Sequence, residues 1–130
     1  VEVETNGTKR PHSDFERFVN QWNVSLKLSN SGMERRLRLN EDALLTYSGH
    51  PRSSKATFKF VVSSDEDLEE IEEIVRSFNI GSEQVMLMPA GQTQEQLRET
   101  YPIVAEICKN RGWQFSPRLQ VNVWGEVTGV

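Results

Sequence analysis

The chain has 130 residues, enough for one domain around a single core. Fifteen Lys and Arg against 19 Asp and Glu give a net charge of −4 and a pI near 5.2. That balance excludes a protein that coats a polyanion, so no nucleic-acid partner is expected. A 36% hydrophobic and 26% charged composition excludes wholesale disorder. The longest apolar stretch, Val85-Met86-Leu87-Met88-Pro89-Ala90, is far short of the ~20 residues a spanning helix needs, so no membrane partner is expected either. The single cysteine, Cys108, cannot close an internal disulfide or supply a cysteine-only metal site. With no signal-peptide pattern, it suggests a cytoplasmic location. The chain opens directly on a strand pattern, Val1-Glu2-Val3-Glu4, without an initiating Met, and reads like a piece of a longer protein.

In chain order, Val1–Glu4 predicts a strand, and Ser13-Asp14-Phe15-Glu16 has the form of a capping box for a helix running to about Asn20. A second strand is expected over Asn23–Leu28. Asn40 suits the N-cap of a helix over Glu41–Tyr47, which Gly49 can end. Ala56–Val62 predicts a third strand. Ser64 and Asp67 then start an acidic-fronted helix whose apolar stripe is Leu68, Ile71, Ile74, Val75 and Phe78. Gln84–Met88 predicts a fourth strand. Thr93 with Gln96 caps a long helix closed by Gly112, in which Pro102 should produce a kink or a break. Arg118–Trp124 completes the set as a last strand. Strands separated by helices imply crossover connections and a parallel sheet, an α/β fold.

Side chains alternate across a strand, so each strand sorts into two sets. Val1 and Val3; Val24, Leu26 and Leu28; Phe58, Phe60 and Val62; Val85 and Leu87; and Leu119, Val121 and Val123 form the apolar set. Glu2 and Glu4; Ser25 and Lys27; Thr57 and Lys59; Gln84, Met86 and Met88; and Arg118, Gln120 and Asn122 form the other. The apolar set must lie beneath the helices, because unpaired charges are not buried. Two arrangements satisfy this pattern. One is an open sheet with helices on one face and water on the other. The other is part of a TIM-like parallel barrel, a half barrel whose inner wall is polar and lines a ligand cavity. In both, a ligand belongs near the carboxyl ends of the strands. Three loops there, Glu4–Thr8, Lys27–Gly32 and Met88–Gly91, are rich in small and polar residues whose amides suit an anion.

Other constellations carry less. His12 and His50 lack partners at metal spacing, so no protein-held metal is expected. Cys108 falls on the apolar stripe of its helix, as a core residue would. The basic run Arg35-Arg36-Leu37-Arg38 reads as a solvated surface, with phosphate contact as the alternative. Glu2 and Glu4 beside Lys27 and Lys59 read as ion-paired positioning groups more than as acid–base catalysts. Trp113, Phe115 and Trp124 read as core or rim aromatics. No nucleotide-binding glycine motif or nucleophile elbow is present, and no catalytic residue is assigned.

Five segments nevertheless stand in a recognisable order: Glu4-Thr5-Asn6-Gly7-Thr8; Ser25-Leu26-Lys27-Leu28-Ser29-Asn30-Ser31-Gly32; Lys59-Phe60-Val61-Val62; Leu87-Met88-Pro89-Ala90-Gly91; and Gly112-Trp113-Gln114-Phe115-Ser116-Pro117-Arg118-Leu119. Together they resemble the C-terminal part of the 7-carboxy-7-deazaguanine synthases, radical S-adenosylmethionine lyases of queuosine and deazapurine biosynthesis. The resemblance implies a partial, six-stranded parallel barrel with its site inside. It implies S-adenosylmethionine, a [4Fe-4S] cluster and magnesium as cofactors of the whole enzyme, and a small pterin, 6-carboxytetrahydropterin, as the substrate undergoing ring contraction. By position, Glu4, Thr5, Asn6 and Gly7 match the strand-end loop beside S-adenosylmethionine. Ser25 and Lys27 match a Ser-x-Lys that contacts its ribose and carboxylate, and Met88 and Pro89 match the segment near its adenine. Lys59, Arg118 and Gln120 fall on the substrate side.

The sequence departs from that pattern in several places. The three cluster cysteines and the Gly-Gly-Glu that grips the methionine amine are absent from this stretch. Leu26 stands where Pro is usual, Ala90 where Glu is usual, Gln120 where His is usual and Glu126 where Asn is usual. Three thiolates are what a site-differentiated cluster requires. The expectation is therefore a fragment that is inert by itself and holds no cofactor tightly. The alternative is a self-standing half-barrel binding module that covers its edges by forming a homodimer.

Overall fold

The computed structural model describes residues 1–49, 55–118 and 123. His50 and the greater part of the expected last strand, including Gln120, Asn122 and Trp124, lie outside the described residues, as does Glu126.

The elements are β1 (Glu2–Thr5), α1 (Ser13–Glu16), β2 (Gln21–Ser25), α2 (Arg35–Arg38), α3 (Glu41–Gly49), β3 (Ala56–Val62), α4 (Asp65–Ser77), β4 (Val85–Pro89), α5 (Gln94–Arg111) and β5 (Gln114–Phe115). Single 3₁₀ turns at Ser29–Ser31 and Ser82–Gln84 follow β2 and precede β4. Among the described residues, five strands form one sheet in the order β1-β2-β3-β4-β5, and every pairing is parallel. This sequential order decides the architecture. Parallel strands joined to their immediate neighbours by right-handed crossovers send every helix to the same face, whereas a reversal of order would cover both. Helices on one face and a bare wall on the other are compatible with a TIM-like half barrel.

Burial follows the alternation. On the covered face, Val24, Phe58, Phe60, Val85 and Leu87 are fully buried against Leu44 of α3, Ile71 and Ile74 of α4, and Val104 and Cys108 of α5. Each large side chain removed from water contributes on the order of 1.5–3 kcal/mol, so this single layer carries most of the fold's stability. On the bare face, Glu2 and Glu4 are exposed, and Asn23, Ser25, Thr57, Lys59, Met86 and Met88 are half-buried.

The strong helices start where capping chemistry placed them. Asn40 Oδ1 accepts from the Ala43 amide at 3.1 Å, Thr93 Oγ1 from the Gln96 amide at 3.1 Å, and Ser64 and Asp67 form a reciprocal capping box.

Several expectations need correction. The first helix is a single turn capped by His12, whose Nδ1 accepts from the Asp14 amide, and not a Ser13-capped helix reaching Asn20. It stops because the Asn20 amide must donate to Val1 O at 2.7 Å as β2 enters the sheet. β2 accordingly begins at Gln21 and ends at Ser25, so Lys27 and Leu28 lie beyond it. α5 runs unbroken from Gln94 to Arg111 despite Pro102, which occupies an exposed position. Gln84, expected among the bare-face residues, is buried. It sits in the turn before β4, where Oε1 accepts from the Gly81 amide at 2.9 Å. A further strand, the short Gln114–Phe115, pairs with β4 where none was expected; most of the expected Arg118–Trp124 lies outside the described residues.

Candidate functional site: a cationic groove on the bare face

Parallel pairing sets the geometry. Ser25 lies beside Lys59, Lys59 beside Met86, and Val61 beside Met88. These positions, with the chain leaving β2, enclose an open groove of about 390 Å³ lined by Ser25, Lys27, Asn30, Ser31, Lys59 and Met88, with Leu26, Leu28 and Val61 completing it. The groove lies over the carboxyl halves of the central strands, where a parallel barrel places its ligand. A second cleft of about 370 Å³ runs between the start of α4 and α5, on the covered side of the sheet, and carries acids and aliphatic residues but no cation.

Charge distinguishes the groove. Among the described residues, Lys27 and Lys59 both line it, no carboxylate does, and neither lysine forms an ion pair. The expected pairing with Glu2 and Glu4 does not form. Asn23, one strand over, donates Nδ2 to Glu2 Oε1 at 3.0 Å and to Glu4 Oε1 at 2.8 Å, which holds those carboxylates over β1. Two uncompensated ammonium groups flanked by the hydroxyls of Ser25 and Ser31 suit a small anionic ligand, a carboxylate above all.

The remaining sequence-assigned residues fall in two groups. Arg118 borders the groove: its Nη1 lies 3.5 Å from Met88 Sδ, its amide donates to Tyr101 Oη at 2.6 Å, and its Nε is buried without a partner among the described residues. Glu4 and Asn6 stand at the β1 rim, Asn6 closing a turn by accepting from the Thr8 amide at 3.1 Å. Thr5, Gly7 and Pro89 turn toward the helices. Thr5 shares its register with buried Val24, its hydroxyl accepts from the Gly7 amide at 3.2 Å, and Gly7 and Pro89 are buried. Beside them, burial pushes the Tyr47 phenol above its usual range, while Tyr47 Oη donates to Lys9 O at 3.1 Å.

Sequence reasoning missed two contributors. Val61 stands in neither alternating set, although it shares the parity of Lys59. The second is Arg38, read as part of a solvated basic run and in fact 4% exposed. Its Nη1 donates to Glu70 Oε1 at 2.6 Å and to Lys27 O at 3.2 Å. No local signal reveals this, because Glu70 lies 32 positions away on another helix.

Relatives carry the same likeness. A 7-carboxy-7-deazaguanine synthase from Pyrobaculum aerophilum is 35% identical over 130 residues, spanning 99% of this chain and 54% of that protein. This chain is similar to that synthase over nearly its whole length. The synthase of Rhodopirellula baltica is 36% identical over 104 residues (79% of this chain, 38% of that protein), and that of Halobacterium salinarum 35% over 74 (52% and 29%). The chain thus spans about half or less of the length of each relative it matches. No protein-family model matches it. Among the described residues, no helix is long and apolar enough to cross a membrane.

Proposed function

We propose that this chain is the C-terminal, ligand-facing part of a 7-carboxy-7-deazaguanine synthase-like enzyme, and that its groove receives the carboxylate end of S-adenosylmethionine. The observation that carries this reading is the pair of uncompensated lysines, Lys27 and Lys59, on the wall where a parallel barrel binds its ligand. Lys27, just beyond β2, faces the carboxylate. Ser25, two residues earlier, offers its hydroxyl to the ribose, and Met88 on β4 gives a soft apolar surface for the adenine. Lys59 and Arg118 extend the cationic wall toward an acidic co-substrate. S-adenosylmethionine, where bound, supplies a carbon activated by its sulfonium.

An iron–sulfur cluster does not fit these residues. The one cysteine in the sequence, Cys108, is buried on α5, where Sγ donates to Gln114 O at 3.3 Å and burial pushes its thiol pKa up. Among the described residues, no group of His, Cys, Asp or Glu is placed to hold a metal ion. The chain alone binds and does not turn over; catalysis belongs to the longer protein.

Calorimetric titration of S-adenosylmethionine tests the placement. Saturable binding that weakens at least ~10-fold in Lys27→Ala, about 1.4 kcal/mol, is the expected result. Identical isotherms for the two proteins would refute it.

A further inference from the structure

The loop that carries Lys27 has no strand partner. β2 ends at Ser25, and the chain then crosses the rim through the 3₁₀ turn Ser29–Ser31. Such a segment would ordinarily be soft. Here it is fastened from below by a buried ion pair, beside the hydrogen bond between Asn30 and Asp67 of α4. The Arg38 and Glu70 side chains are 5% and 13% exposed. Arg38 donates Nη1 to Lys27 O at 3.2 Å and Nε to Met33 O at 3.2 Å, and so clasps both ends of the loop. Glu70 accepts from the Ser29 amide at 3.0 Å and from Ser29 Oγ at 2.8 Å, which pins the middle. The 2.6 Å bond between Arg38 Nη1 and Glu70 Oε1 closes the clasp.

Stability alone does not explain such an arrangement, because desolvating two charges costs about as much as their attraction returns. What a fully bonded buried pair adds is one defined loop geometry. The pair also lies on the covered side of the sheet and lines none of the groove.

We propose that Arg38 and Glu70 are positioning residues: their ion pair holds the Lys27–Met33 loop in the shape that presents Lys27 and Ser31 to the ligand. This rests on the groove being the S-adenosylmethionine site, and two separate readouts keep the claims apart. Arg38→Met/Glu70→Leu replaces both charges by apolar groups of similar size, a change that need not cost stability. The urea midpoint should stay near that of the wild type, while exchange of the Ser29 amide proton accelerates at least ~10-fold and that of the Phe58 and Phe60 amides in β3 does not. S-adenosylmethionine affinity should fall at least ~10-fold, and Glu70→Asp should recover part of it where Glu70→Ala does not.

Unchanged Ser29 exchange in the double variant overturns the proposal, and so does unchanged affinity in a variant whose loop has been freed. Accelerated Ser29 exchange in the double variant, alongside a wild-type protein that binds no S-adenosylmethionine, would sustain the anchor and refute the ligand assignment instead. Should the double variant fail to fold, Glu70→Gln, which keeps size and one acceptor, is measured in the same way, and the same outcomes sustain or overturn the proposal.

Discussion

Gly7 shows how tightly the rim is built onto the core. It has φ +74°, and a Cβ placed there would lie 2.8 Å from Leu26 Cδ2, 2.8 Å from Val24 Cγ1 and 3.4 Å from Leu44 Cδ2. Gly32, in the loop that carries Lys27, has nearly the same φ, +78°, but nothing within 4 Å of its would-be Cβ. Alanine in the left-handed region costs about 1–2 kcal/mol at either site. Reduced freedom of the unfolded chain returns about 0.4–1 kcal/mol at both. Only Gly7→Ala adds overpacking against two buried side chains, a further 1–3 kcal/mol or so. Gly32→Ala should therefore lose roughly 0.5–1 kcal/mol and Gly7→Ala roughly 2–4 kcal/mol, measured as urea midpoints at constant slope. Equal losses at the two sites would refute the reasoning, because backbone strain would then account for both.

Asp67 gives a prediction about pH. Burial works against its charge, but hydrogen bonds from Ser63, Asn30 and Ser64 outweigh it and hold its carboxyl below the usual range. A lowered folded pKa means stabilisation that is full above the unfolded value, ~3.9, and lost as pH falls through the folded one. Asp67→Asn should then cost about 1–2 kcal/mol at pH 7 through the lost cap, with the gap to wild type shrinking toward pH 3; a gap of constant size in urea titrations at both pH values would contradict this. Pro102, exposed inside α5, cannot donate to the carbonyl one turn back, so Pro102→Ala should raise the urea midpoint by about 1–2 kcal/mol equivalent after the entropic cost, and a lowered midpoint would show that the helix depends on the ring.

The fold is legible in the sequence where its signals are local. Period-two alternation assigns Val24, Phe58, Phe60, Val85 and Leu87 to the covered face and Ser25 and Lys59 to the bare one, because only one side of this parallel sheet is packed. Caps at Asn40, Ser64 and Thr93 act within four residues, and all three form as expected. What escapes is non-local. β5 is two residues long and exists because β4 offers Met86 and Leu87 as neighbours, a pairing no pattern within Gln114–Phe115 announces. Arg38 looks solvated beside Arg35 and Arg36 until the fold brings Glu70 beneath it. Asn23, one polar residue on an adjacent strand, takes the carboxylates that charge counting assigns to the lysines. The expected groove residues Ser25, Lys27, Lys59 and Met88 do converge, whereas Thr5, Gly7 and Pro89 shape the rim from its covered side.

The central claim is that the bare polar wall of the sheet is where the ligand sits, and the three methionines of this chain report on it directly. Met86 and Met88 stand on that wall, and Met33 is an exposed residue at the far end of the anchored loop. With methyl-labelled methionine and increasing S-adenosylmethionine, the Met88 methyl resonance should shift most, Met86 less, and Met33 should stay in place. A titration that moves Met33 alone, or none of the three, would contradict the account.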